Sequence, residues 1–310
     1  MQNPKFSPTF AVVLLCVAGI LFAQASAPFA LAQETVLYSF ANTTDGNFPY
    51  SGVILDKQGN LYGTTVDGGN LATCGGNGCG EVFEIHHNSD GTWSDRSLYA
   101  FAGPSGDGAA PWSTLLSDSR GHLFGMTYYG GNGACSIGQY PGCGVVYELT
   151  HSASGGWTES VLYNFQGGTD GAYPQATLVM DNLGNLYGTT SVGGGSSVCL
   201  LGTTPAGCGT VFELSPSSGG SWIETVLYRF QGNFDGASPS GGVMLDGAGS
   251  LYGVTGGGGS NSCRQYFKDG QDCGLVYKLR HSATGWVKSR HLFAFRVRGF
   301  SRLTHRAISY

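Results

Sequence analysis

Charge is scarce in this chain: Asp, Glu, Lys and Arg make up only 11% of its 310 residues. Basic residues are scarcer still over most of its length. Gln33 to Cys263 holds 4 Lys and Arg against 18 Asp and Glu, a net charge of −14. A body of that sign excludes nucleic acid as a partner, because phosphate binding needs a basic face. Helix signals are also missing, since no apolar pattern at 3, 4, 7 spacing occurs beyond the N-terminal residues. Long hydrophobic runs are absent too. The longest, Phe10 to Phe22, is too short to span a bilayer comfortably. No transmembrane segment is expected.

That run fits a secretory signal. Lys5 precedes it, and Ala30-Leu31-Ala32 is a small-x-small cleavage site. Residues 1–32 are therefore expected to be removed and the protein exported, to the extracellular space, the cell surface or the periplasm. The chain from Gln33 onward is ample for a sizeable core. Glycine is abundant, 53 of 310, but lies between aromatic and β-branched runs, which excludes collagen and disordered linker.

What is present is a repeat. Asp56-Lys-Gln-Gly59-Asn-Leu-Tyr-Gly-Thr-Thr65 returns as Asp181-Asn-Leu-Gly184-Asn-Leu-Tyr-Gly-Thr-Thr190. Looser copies begin at Asp118, with Gly121, and at Asp246, with Gly249. The four Asp residues recur at a nearly even interval, so one structural unit is built several times. Asp-x-x-Gly between two apolar runs is turn chemistry: Gly supplies positive φ, and Asp bonds back to the backbone. The eight residues Asp56, Gly59, Asp118, Gly121, Asp181, Gly184, Asp246 and Gly249 thus read as hairpin turns.

Each unit reads as four short strands. In the first these are Gly52–Asp56, Leu61–Thr65, Gly80–Ile85 and Trp93–Phe101. The fourth unit has one extra residue between Trp286 and Leu292, which reads as a β-bulge. Four strands per unit of this length suit an all-β, β-propeller-like tandem repeat. Units are expected at 41–101, 102–165, 166–230 and 231–295. An unpaired strand at 34–40 precedes them, because Glu34-Thr-Val-Leu-Tyr38 repeats Glu224-Thr-Val-Leu-Tyr228. Residues 296–310 form a basic tail without the repeat motifs. It reads as a truncation or frame-shift product, or as a native tail. The ring is then expected to be incomplete, with an open sheet edge that favours self-association.

The ordered set Leu-Tyr-x-Phe, Asp-Gly-x-x-Pro, Asp-x-x-Gly-Asn-Leu-Tyr-Gly-Thr-Thr and Cys-Gly-x-Val-Phe-Glu-Leu, from Glu34 to Phe295, resembles the GloVer tandem repeat of secreted bacterial "choice-of-anchor" proteins. The resemblance implies an exported, propeller-like protein of unknown activity and brings no catalytic residues with it.

Eight cysteines follow the leader, two per unit: Cys74 and Cys79, Cys135 and Cys143, Cys199 and Cys208, Cys263 and Cys273. Export and the repeat favour within-unit disulfides. Zinc competes poorly, because no His recurs beside these pairs to complete a tetrahedral site. Asp-Gly-x-x-Pro also occurs in every unit, at Asp45, Asp107, Asp170 and Asp235, with Phe48, Tyr50, Trp112, Tyr173 and Phe234 beside it. These aromatics either form stacking platforms for a sugar or other extended ligand, or seal the junctions between units. Each loop brings one carboxylate, too few for calcium. The seven His are scattered, and His151 and His281 hold equivalent places at strand ends. No nucleophile elbow, phosphate loop, zincin motif or pair of acids confined to one unit occurs. Neither cofactor nor metal is expected. The reading is a secreted or cell-surface binding protein, not an enzyme, whose partner is a polysaccharide or another surface protein. A carbohydrate-active hydrolase or lyase on the same scaffold is the alternative.

Overall fold

The computed structural model describes residues 34–294 apart from 42–43, 105, 137–139, 153–154, 202–203, 260–272, 284 and 290–292. The leader, the basic tail and Cys263 lie outside the described residues. From Tyr38 onward the chain forms one unit of contacts, distinct from the N-terminal segment that ends at Leu37.

The protein is all-β and propeller-like. Four main antiparallel sheets follow one another along the chain with their strands in sequence order; the third also takes in Gly171–Pro174, paired with Leu186–Gly193, and two small ribbons, Gly108–Ala109 with Tyr129–Gly130 and Leu200–Leu201 with Thr204–Pro205, accompany them. In the first unit the strands are Ile54–Leu55, Leu61–Thr65, Glu81–His87 and Trp93–Ala100. In the second they are Leu116–Ser117, Leu123–Thr127, Val145–His151 and Trp157–Asn164. The third has Val179–Met180, Leu186–Gly193, Thr210–Pro216 and Trp222–Arg229. The fourth has Met244–Leu245, Leu251–Thr255, Leu275–Ser282 and a last strand in two pieces, Gly285–Lys288 and Phe293–Ala294. Among the described residues no strand of the first unit pairs with a strand of the fourth. No helix among them is long and apolar enough to cross a membrane.

The middle strands of each sheet carry the core. Val82, Phe83 and Ile85 are all buried, as are Val145, Val146, Tyr147 and Leu149 in the next unit. Burial on both faces requires a sheet packed on each side, which explains the continuous apolar run. The fourth strands alternate half-buried and exposed residues, as an edge strand does.

One cross-strand column repeats through all units. Gly63 sits opposite Phe83, Gly125 opposite Tyr147, Gly188 opposite Phe212 and Gly253 opposite Tyr277. A Cβ on Gly63 would stand 2.5 Å from Phe83 Cζ, and one on Gly125 2.3 Å from the Tyr147 hydroxyl. The glycine of Leu-Tyr-Gly therefore makes room for a ring. That ring meets, edge to face, the Phe of the preceding Leu-Tyr-x-Phe: Phe40 with Phe83 at 5.0 Å, Phe101 with Tyr147 at 5.0 Å, Phe165 with Phe212 at 5.1 Å, Phe230 with Tyr277 at 5.1 Å. Residues 34–41 form no strand, contrary to the sequence expectation. Phe40 instead covers the first unit as the end of each unit covers the next.

Bulges are more general than the sequence implied. Each of the first three units shifts register in its last strand, at Leu98, Leu162 and Leu227, the Leu of Leu-Tyr-x-Phe. In each case the Tyr after the Leu reaches the Asp of Asp-Gly-x-x-Pro: Tyr99 to Asp107 at 3.1 Å, Tyr163 to Asp170 at 3.1 Å and Tyr228 to Asp235 at 2.6 Å.

Candidate binding face and the acidic cleft of the first unit

The hairpin turns are built alike. Asp56 Oδ1 accepts the backbone N–H of Gln58 and Asn60, at 2.9 and 2.8 Å. Its Oδ2 accepts Asn60 Nδ2 and the Tyr62 hydroxyl. These donors hold the Asp56 carboxyl below its ordinary pKa against the opposing effect of burial, and Asp181 is held down by the same set from Asn185, Leu183 and Tyr187. Asp118 and Asp246 make the same backbone bonds. Gly59, Gly121, Gly184 and Gly249 all have positive φ. All eight residues are thereby committed to the turns.

The Asp-Gly-x-x-Pro loops lie at the opposite end of the sheets and latch one unit to the next. The residue before each Pro has positive φ: Phe48, Ala110, Tyr173 and Ser238. Ala110, Tyr173 and Ser238 donate their N–H to the carbonyls of Cys79, Cys143 and Cys208 in the preceding unit. The Pro rings rest on the glycines that follow those cysteines; a Cβ on Gly80 would meet Pro111 Cδ at 2.6 Å. Cys-Gly and Asp-Gly-x-x-Pro are thus two halves of one contact. The cysteines themselves form Cys74–Cys79, Cys135–Cys143 and Cys199–Cys208 bridges. Cys273 is disulfide-bonded too, and its expected partner Cys263 lies outside the described residues.

The loop aromatics divide. Phe48 and Tyr50 are 47% and 71% exposed and stack at 5.8 Å with their planes 6° apart. Tyr50 meets Trp112 edge-on at 6.4 Å. Trp112 stacks on Tyr128 at 4.5 Å, and Tyr128 on Tyr173 at 5.0 Å. The result is a ladder of rings across three consecutive units. Tyr173, expected as a platform, is 1% exposed and packs in the core, so it supports the ladder from beneath. Phe234 is 59% exposed but stands apart in the fourth unit, beside a cleft with Trp286 and Lys288. Tyr128 was not anticipated. It occupies a column held by Val66, Ser191 and Gly256 elsewhere, and that irregularity was its only sequence signal.

The first unit also holds an acidic cleft of about 340 Å³, lined by Thr44, Asp45, Asn70, Asp95 and Ser97. Glu81 sits under it, fully buried. Its Oε2 accepts the Ser97 hydroxyl at 2.5 Å, and its Oε1 has no hydrogen-bond partner. Burial, with the Asp95 and Asp45 charges adding to it, pushes the Glu81 carboxyl up to about 7 despite the Ser97 bond. Burial and Asp45 push Asp95 up to about 6. Within this set Glu81 and Ser97 are peculiar to the first unit. Glu81 takes a place held by Val145, Thr210 and Leu275, and Ser97 one held by Val161 and Val226. Comparing units column by column would have exposed it. No cluster among the described residues has the arrangement of a metal site.

The match to known families covers residues 18–201 and is to the Gloeobacter/Verrucomicrobia repeat. The chain belongs to that family. Among curated proteins none matches the sequence. Solved structures with a similar course of chain include a putative gluconolactonase, at 14% identity and TM-score 0.36 over 78% of this chain and 73% of that one. A glycoside hydrolase family 43 arabinoxylan arabinofuranohydrolase from Bacillus subtilis aligns at 15% identity and TM-score 0.42, over 82% of this chain and 51% of the enzyme. A gluconolactonase from Xanthomonas campestris aligns at 13% identity and TM-score 0.38, over 73% of this chain and 67% of that one. The repeat protein thus spans about half the length of the Bacillus enzyme. Likeness this distant transfers no activity.

Proposed function

We propose that this repeat protein is a non-enzymatic binding module for an extended, uncharged glycan, which lies along Phe48, Tyr50 and Trp112. The ladder of rings carries the reading. Two exposed, parallel aromatic faces continue into a half-buried Trp, and sugar rings stack on such faces while their hydroxyls find polar edges. No basic side chain is among the ladder's rings, so nothing in it selects an anionic ligand. We place the protein outside the cytoplasm, because its bridged cysteines need an oxidising compartment.

Affinity electrophoresis against soluble β-glucan, xylan and mannan tests this. At least one should retard the protein, and Tyr50→Ala should weaken that binding about tenfold, or about 1.4 kcal/mol. Melting should be unchanged, because Tyr50 is 71% exposed. No retardation, or retardation indifferent to Tyr50→Ala, overturns the proposal. The second reading, a carbohydrate-active hydrolase, is favoured by one observation: two carboxyls with raised pKa, one at the cleft and one under it. Release of reducing ends that Asp95→Asn abolishes would replace the first reading with this one.

A further inference from the structure

The acidic body from Gln33 to Cys263 has four basic side chains, Lys57, Arg96, Arg120 and Arg229. Two of these are engaged within the protein. Arg96 pairs with Glu84 and donates to the Gly155 carbonyl; Arg229 donates to the Thr169 carbonyl. The other two meet at one place. Lys57 and Arg120 stand on the hairpin tips of the first and second units and line a single cavity of about 470 Å³. Both are exposed, and among the described residues neither side chain has a hydrogen bond or an ion pair. The cavity is also walled by Tyr62, Leu123 and Trp157, so an aromatic surface lies next to the two cations.

Asp56 and Asp118 line the same cavity, and their formal charges balance the cations. Each is engaged within its own turn, however. Asp56 accepts four bonds within its own turn. Asp118 accepts the N–H groups of Arg120 and His122 on Oδ1 and faces His122 Nδ1 with Oδ2 at 3.3 Å. What the cavity offers a ligand is therefore a set of cationic donors and an aromatic face. A guanidinium fork binds a planar carboxylate with two parallel bonds, and an ammonium adds a point charge. The volume suits a ligand of a few rings.

We propose that this junction cavity is a second, separate glycan site, specific for saccharides bearing a carboxylate, with the uronate held by Arg120 and Lys57 and a sugar face on Trp157. It shares no residue with the Tyr50 ladder, which lies at the other end of the sheets.

Isothermal titration of the full chain with trigalacturonic acid tests it. Binding should be measurable at low salt. It should weaken tenfold or more in the Lys57→Ala/Arg120→Ala double variant, and weaken steeply in 0.5 M NaCl as the charges are screened. The fully methyl-esterified trisaccharide should not bind. Tyr50→Ala should leave the affinity unchanged, which separates this site from the ladder. Both substituted residues are exposed turn residues, and an unchanged melting temperature of the double variant shows that it folds. Absence of binding at low salt, equal binding of the ester, or indifference to the double substitution would each overturn the proposal.

Discussion

At Gly59 the backbone demands glycine; at Gly63 a neighbour does. Gly59 has φ of 93° with nothing within 4 Å of an added Cβ, so Gly59→Ala should cost only the left-handed penalty, about 1–2 kcal/mol. Gly184→Ala, at φ of 85° and equally open, should match it in chemical denaturation. Gly63→Ala must move the Phe83 ring, 2.5 Å from the new Cβ, and should cost more, about 2–4 kcal/mol, with a drop in cooperativity. Equal losses at the two glycines would show that one of these causes is misassigned. Turn glycines could be read from sequence because their chemistry is local. The glycine of Leu-Tyr-Gly could not, because its reason lies on the neighbouring strand, at Phe83. Glu81 was hidden for a similar reason: its neighbours Asp45, Asp95 and Ser97 come from two other segments of the chain.

At the scale of the strand, one column of the fourth strands organises the junctions. Two residues after the Trp that opens each of these strands come Asp95, Glu159, Glu224 and Lys288. The three acids each face the Asp of an Asp-Gly-x-x-Pro loop, Asp45, Asp107 and Asp170, and each keeps one buried oxygen without a partner. In the fourth unit Lys288 pairs directly with Asp235. Glu159→Lys should therefore raise the melting temperature at pH 7, by copying the fourth junction into the second, while Lys288→Glu should lower it. The opposite order would show that burial of the lysine outweighs the pairing. The third strands hold a second weakness, since the Tyr147 and Tyr277 hydroxyls are buried without a hydrogen-bond partner where the first and third units have Phe83 and Phe212. Tyr147→Phe should stabilise by about 1 kcal/mol. The strand order was legible because the apolar runs and turns repeat. The bulges at Leu98, Leu162 and Leu227 were not, because they shift register without changing the hydrophobic pattern.

Over the whole molecule these carboxyls set the response to pH. Burial and the neighbouring Asp push Asp95 up to about 6, and Glu159 and Glu224 to about 7; Glu81 joins them at about 7. The folded protein thus binds these protons more tightly than the unfolded chain. Their contribution to stability is fully present below the unfolded carboxyl values, about 4, and is lost as pH rises through the folded ones. Asp56 and Asp181, held below the ordinary carboxyl value, act the other way and lose their contribution as pH falls. From these groups stability should peak near pH 4 and fall toward pH 8. The triple variant Asp95→Asn, Glu159→Gln, Glu224→Gln should flatten that fall when melting temperature is followed from pH 4.5 to 8. A wild-type curve that rises over this range would contradict the assignment.

The ladder of Phe48, Tyr50 and Trp112 also belongs to the whole molecule, because consecutive units must pack before its rings meet. The most direct test is titration of the full chain with hexasaccharides of β-glucan, xylan and mannan, read by tryptophan fluorescence with reducing ends assayed in the same samples. Saturable quenching by one of them, about tenfold weaker in Tyr50→Ala and without release of reducing ends, is the predicted result. A flat response to all three, or one that Tyr50→Ala leaves unchanged, would contradict it.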